Sequence, residues 1–544
     1  MALESNQLAI IKAGYDAVCR EMAVNLRRSA ISSIVREARD FSVALTDARG
    51  EVIAQAECIP IMTAGIALAL KNINALFNVD ELTEDDALLM NDPFTGGQHL
   101  QDIYLFTPIL VDGRVVAFGA STAHHVDLGG MHAGISTQAT EIYQEGLRIP
   151  LSKFSISRDF DNPNGFVRQV IAANVRVPEA VIGDLKAQFA ANATATRRTK
   201  ELMARYGVEH CLEAMAGLKD YAEVRMRDAI RQIPNGTYEA TEYFDGSAWG
   251  LDRVPVCVQL EIVDDAINVT FEGTAQQVMG NVNCPLASTI SSVQSAIRCC
   301  LEVPDIDFNE GCNRPIKVTV PYGSVLNPAP PAAVRSRLTP ASRVFNAIVR
   351  SLAEAIPTNA VATGFDTTTA IAISSLDGSG VYQVALEIIG GGWGACAEHD
   401  GADALDNPIS NCANAPVESL ETDYDHFWIE EYSMVDGSGG AGETRGGSGI
   451  RRVYVAKNDG VKIAGYSDRH RDGGEGIFGG DPGRSGSHMI VRATGAEERL
   501  DVAYEKVLNK GDRIIVTTGG GGGFGESRNR EAERSRKDVL NQVT

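Results

Sequence analysis

The sequence predicts an α+β protein with mixed or antiparallel sheets and a central helical block, folded as a large multi-lobed single subunit. Three observations carry that prediction. Strand-like segments come in hairpins joined by tight turns, not in strict strand–helix alternation. One continuous stretch, 161–235, is helical in composition. The chain has 544 residues, 44% of them hydrophobic, enough for one large core or two to three smaller ones.

Taken in order, residues 5–36 place Leu8, Ile11, Tyr15, Val18 and Met22 at helical spacing. A hairpin follows at 41–46 and 51–56, turning through Asp47-Ala48-Arg49-Gly50. Another helix is expected over 63–77, and strands alternate with turns over 87–125. Residues 126–160, with Gly129, Gly130 and Gly134, lack a clear period and read as an ordered loop. In the helical block, Val177-Pro178 and Tyr206-Gly207 predict two breaks and therefore three helices. Such a block serves either a subunit interface or a bundle packed on the sheet.

Beyond Gly236 strands dominate, interrupted by amphipathic helices near 287–303 and 340–356. The expected regions are 1–160 (α+β), 161–235 (helical), 236–380 (α+β), 381–527 (glycine-rich β) and a charged, solvated tail at 528–544.

A formal charge of −22 excludes a nucleic-acid surface, which needs clustered Lys and Arg. Ten cysteines without a CxxC pair fit a reducing compartment better than a disulfide framework. No basic segment followed by an apolar core opens the chain, and no apolar run approaches the ~20 residues that cross a bilayer. The expected location is the cytoplasm, and the expected partners are small molecules or another protein.

The chemistry concentrates early. Of nine histidines, four fall between 99 and 132, in Gly-Gly-Gln-His99-Leu-Gln-Asp102 and Ala-His124-His125-Val-Asp127. Imidazoles and carboxylates gathered this way are the donors a divalent cation takes. His99 and Asp102 are three apart, and hairpin pairing returns His124 to the same spot. Adjacent strand side chains face opposite ways, so His125 is expected on the substrate side, not on the ion. Downstream, Glu141 or Glu145 offers a general base and Arg148 a cation for phosphate or carboxylate. Glycine-rich stretches at 390–392, 437–449 and 519–523 lack the phosphate-loop form and read as turns.

The motifs NDPFTGGQHLQDI, STAHHVDLGG, TEIYQEGLRIP, GCNRPIKVTVPYGSVLNPAPPAAV, SDRHRDGGEGIFGGDPG and TTGGGGGFG resemble the hydantoinase B family over nearly the full length. The resemblance implies the metal-binding subunit of a two-component, ATP-dependent hydrolase of cyclic amides: hydantoins, 5-oxoproline or lactams. A hydantoinase A-type partner would bind ATP and phosphorylate the substrate, in a hetero-oligomer such as α2β2. The family also includes metal subunits of acetone and acetophenone carboxylases, so ketone carboxylation is the alternative activity. A subunit that only assembles is a third.

By the same resemblance Asp40, His99, Asp102 and His124 match the ligands of one zinc or manganese ion. His125, Asp127 and Glu141 are the expected catalytic set, and Arg148, Arg335 and Arg337 the expected substrate or phosphate contacts. Two departures stand out. Where many members read His-Ile-Pro-Val-His, this chain has Cys58-Ile59-Pro60-Ile61-Met62. Where they read Gly-Gly-Asn-Val-Glu-Thr, it has Arg335-Ser336-Arg337-Leu338-Thr339-Pro340. Two cations thus replace a glycine turn.

Overall fold

A computed structural model describes residues 5–541 apart from 57, 72, 302, 304–307 and 366. The N-terminal sheet has six strands: β1 (Phe41–Asp47), β2 (Val52–Gln55), β3 (Asp86–Met90), β4 (Asp102–Val111), β5 (Arg114–His124) and β6 (Ser152–Ser155). They lie in the order β2-β1-β5-β4-β3-β6, every neighbouring pair antiparallel. A four-stranded sheet over 236–319 contains a parallel pair, Ile316–Thr319 beside Ala266–Thr270. Two more sheets, of four and five strands, occupy 369–517. The α+β expectation with mixed and antiparallel sheets therefore holds.

Helix Ser5–Ser29 buries Ile11, Tyr15, Val18 and Met22 against the core. It ends sooner than its periodicity predicts. Asp184 Oδ1 accepts the amides of Ile31 at 2.7 Å and Ser32 at 3.1 Å, and a separate turn, Ser33–Arg36, follows. The stretch 63–77 likewise divides, into Thr63–Leu70 and Ile73–Leu76. The central block forms three helices, Phe166–Asn174, Pro178–Tyr206 and Val208–Ile230, broken where proline and glycine predict. Its long middle helix packs on the first sheet. Gln188 donates to Ile103 O at 2.9 Å and Asn192 to Leu105 O at 3.1 Å, tying it to β4.

The loop expected at 126–160 is only partly a loop. Its end forms β6, which pairs Phe154 with Ala87 of β3 and buries the Phe154 ring. The glycine clusters are more than turns, because their backbones interlock. Gly447 N–H donates to Trp393 O (2.8 Å), Gly521 N–H to Gly447 O (3.0 Å) and Gly392 N–H to Gly519 O (3.0 Å). A Cβ on Gly446 would lie 1.8 Å from Gly521 O, so only glycine fits there. The tail is docked, not free: Arg530 reaches Asp400 and Asp538 at 2.8 Å each. No helix among the described residues is long and apolar enough to cross a membrane.

Candidate active site

Strand register assembles the site. Asp102 and His124 face each other as cross-strand partners at the end of the β4–β5 hairpin. On the other side of β5, β1 pairs Phe41 with Ala123, which brings Asp40 to the same end. The Asp40 carbonyl accepts the His124 amide at 3.0 Å. Arg39 just before it has φ +60°, the sparsely populated left-handed region. His99 sits in the turn entering β4, its carbonyl accepting the Asp102 amide at 3.1 Å. The His99 and His124 rings stand edge to face, centroids 4.9 Å apart. Asp40, His99, Asp102 and His124 are thus brought together, and none is more than 6% exposed.

The segment leading into helix Leu338–Leu352 adds two buried guanidinium groups. Arg337 Nη2 donates to Asp102 Oδ2 at 2.7 Å and to Gln98 Oε1 at 3.2 Å. Arg335 Nη2 donates to Gly134 O at 3.2 Å, and its amide to Glu145 Oε1 at 2.8 Å. Asp40, His99, His124, Arg335, Arg337 and Tyr466 line a cavity of about 10 Å³, room for one water-sized body. Beside it lies a cavity of about 460 Å³ walled by Cys58, Ile59, Phe308, Phe345, Trp393 and Leu405, with Gln55, Thr63, Ser295, Arg298, Asp406 and Asn411 among its polar groups. Ile59 lines both.

Burial sets the protonation states. It pushes the Asp40 carboxyl up to about 8, helped by the Asp102 charge and opposed by Arg337 and Arg335. Burial, then the charges of Arg337 and Arg335, holds the His99 imidazole well below its ordinary value; burial, then Arg335, does the same at His124. Both rings are therefore neutral near pH 7 and present lone pairs. Their Nδ1 atoms are buried without a hydrogen-bond partner, as is Asp102 Oδ1.

Those orphaned atoms have the chemistry of metal ligands. His99 Nδ1 lies 2.9 Å from Asp102 Oδ2 without hydrogen-bond alignment. The same Asp102 oxygen, however, already holds Arg337. Among the described residues, no three of His, Cys, Asp and Glu stand close enough together to hold an ion. With both arginines in place, the centre does not fit a divalent metal.

Four residues expected at the site lie elsewhere. His125 points to the opposite face of the strand end, its Nε2 3.1 Å from Gln188 Oε1 under the long helix. Asp127 is a loop anchor: it pairs with Arg176 at 2.9 Å and accepts the Gly129 and Arg176 amides. Glu141 is exposed and caps the turn Ile142–Gln144. Arg148 stacks over Tyr143 and Phe94, 5.5 and 6.0 Å from their centroids. The partners of His125 and Asp127 lie 63 and 49 residues away, where the local sequence does not reveal them.

Of the two glutamates weighed as bases, Glu145 is the buried one. Its Oε1 accepts the Val334 and Arg335 amides, so it shapes the arginine segment. Burial pushes its carboxyl up to about 8, above the ordinary value near 4.3. A carboxyl raised on folding stabilises fully below its unfolded pKa, and that contribution is lost as pH climbs through about 8. Glu145→Gln keeps an acceptor but has no proton to lose. Its stability relative to wild type should rise between pH 5 and pH 9 by on the order of 2 kcal/mol in denaturant unfolding; a pH-independent difference would contradict this.

Asp406 was not singled out by the sequence. It is a lone acid in Ala-Leu-Asp-Asn-Pro, with no histidine beside it. It lines the larger cavity, accepts the Cys412 amide at 2.9 Å through Oδ2, and leaves Oδ1 buried and unpartnered. Burial pushes its carboxyl up to about 7, suited to acid–base work.

Fold and site together define a large α+β protein with a buried carboxylate–imidazole–guanidinium centre beside an apolar cavity. The hydantoinase B/oxoprolinase family description matches residues 4–527, and the chain belongs to that family. It is 33% identical to an uncharacterised protein of Methanocaldococcus jannaschii, over 98% of this chain and 92% of that one. It is 30% identical to the caprolactamase subunit beta of Pseudomonas jessenii, over 98% and 93%. The crystal structure of the ATP-dependent caprolactamase from P. jessenii superposes with a TM-score of 0.91 at 28% identity, covering 100% of this chain and 95% of that one. A nucleotide-free acetone carboxylase structure shares the fold, with a TM-score of 0.90 at 18% identity, over 99% and 78%.

Proposed function

We propose that this chain is the hydrolytic subunit of a two-component, ATP-dependent cyclic amide hydrolase, acting on a lactam-type ring activated by a hydantoinase A-type partner. One observation carries the reading: an apolar cavity of about 460 Å³ abuts a buried centre with room for one water. The larger volume lies in the range of small-molecule sites, and its aromatic and aliphatic walls suit the carbon skeleton of a ring. The partner is supported by the relative whose name is caprolactamase subunit beta.

In this reading the ring lies against Ile59, Phe345 and Trp393. A water in the small cavity meets the lone pairs of His99 and His124, which take its proton as it attacks the activated carbon. Arg335 and Arg337 donate to the phosphate oxygens on that carbon; once the ring nitrogen has left, a second water takes the open-chain acyl phosphate to carboxylate and inorganic phosphate. Asp40, protonated at neutral pH, and Asp406 are the groups placed to return a proton to the leaving ring nitrogen.

The test is to co-purify the chain with an ATP-binding partner and supply ATP with hydantoin, 5-oxoproline or caprolactam. ATP-dependent ring opening is expected, strongest for caprolactam. Turnover of acetone that requires bicarbonate would instead establish the carboxylase reading, for which the shared fold alone speaks.

A further inference from the structure

We propose that the Arg337 guanidinium, with Arg335 beside it, takes the place of a divalent ion in this centre, which therefore works as a permanently metal-free site. The surroundings are built for that cation. Gln98 uses both ends of its amide: the nitrogen donates to the Ile61 carbonyl, and the oxygen accepts Arg337 Nε and Nη2 at 3.4 and 3.2 Å. Asp102 Oδ2 closes the clamp at 2.7 Å. Arg335 is fixed from the other side by Gly134 O and Glu145.

Charge balance gives the same answer. The centre holds two carboxyl groups, Asp40 and Asp102, and two guanidinium groups, each at most 6% exposed. Even with both carboxyls ionised, negative charge does no more than match the two cations. A divalent ion would add two uncompensated positive charges to a closed, water-poor cavity, where unpaired charge is costly. The space is small as well, about 10 Å³. Because arginine keeps its proton in proteins, this positive charge is independent of pH and of chelators. It stabilises an oxyanion, but it supplies no ionised water, so the proton must leave to His99 or His124.

The experiment is elemental analysis and thermal unfolding of the full chain, purified after expression with added zinc or manganese. Wild type is expected to hold less than about one tenth of an ion per chain and to melt at the same temperature with and without metal. Arg337→Gly, which opens the space and removes one cation, is expected to take up about one ion per chain and to melt higher when metal is added. Adding His124→Ala to that variant should abolish both effects. Arg337→Lys, which keeps a cation, should stay metal-free. About one ion per wild-type chain, lost on His124→Ala, would overturn the proposal; so would an Arg337→Gly protein that melts cooperatively and stays metal-free at millimolar zinc.

Discussion

Asp102→Ala is expected to destabilise the protein by about 3–5 kcal/mol, more than any other single change at the site. The carboxylate is fully buried and accepts Arg337 Nη2 at 2.7 Å, so its removal strands a guanidinium that cannot shed its charge. Of the side chains that accept its hydrogen bonds here, Gln98 then remains. The loss comes from the leftover charge, not from missing contacts, and a second substitution separates the two. Arg337→Gly on the Asp102→Ala background should recover at least about half of the loss, a coupling visible in a double-mutant cycle. Additive losses would show that the pair is not the stabilising unit. Equilibrium unfolding in urea reads all four proteins.

His124→Asn is expected to lower kcat of the ATP-coupled reaction by about 10²–10⁴-fold, with a much smaller change in KM. The imidazole lines the water-sized cavity, and its Nδ1 is buried without a partner. Burial and Arg335 keep it neutral, so it can accept a proton at ordinary pH. Asparagine preserves polarity and approximate size but is not a base. The apolar cavity that would hold the ring is walled by other residues, which is why KM should move little. An equal loss in KM with kcat intact would make His124 a binding group instead.

Local chemistry made much of this legible. The hairpin at 41–56 was readable from a four-residue turn, and the three central helices from Pro178 and Gly207. The meeting of His99, Asp102 and His124 followed from hairpin pairing, which the register of Asp102 with His124 realises. What stayed hidden depends on partners distant in sequence. Asp184 ends the first helix early from 152 residues away. Asp127 looks catalytic in its motif but is consumed by Arg176, 49 residues on.

Arg337 and Asp102 are 235 residues apart. The sequence marked that arginine as a departure from its relatives, yet gave no means of placing its charge inside the donor set. Asp406 had no signal at all, since only burial beside the larger cavity distinguishes it from other loop acids. The interlocked glycine backbones likewise show as clusters in sequence, while the reason for them, one chain pressed on another, appears only in space.

The most direct test of the central claim is the isotopic composition of the product. The chain, an ATP-binding partner, ATP and caprolactam are combined in heavy-oxygen water with carbon-labelled bicarbonate. Hydrolysis of an activated cyclic amide predicts a ring-opened amino acid whose carboxylate carries solvent oxygen and no bicarbonate carbon, formed only when ATP and both subunits are present. A lactam that stays closed in that mixture, while acetone added to it acquires the labelled carbon, would contradict the account.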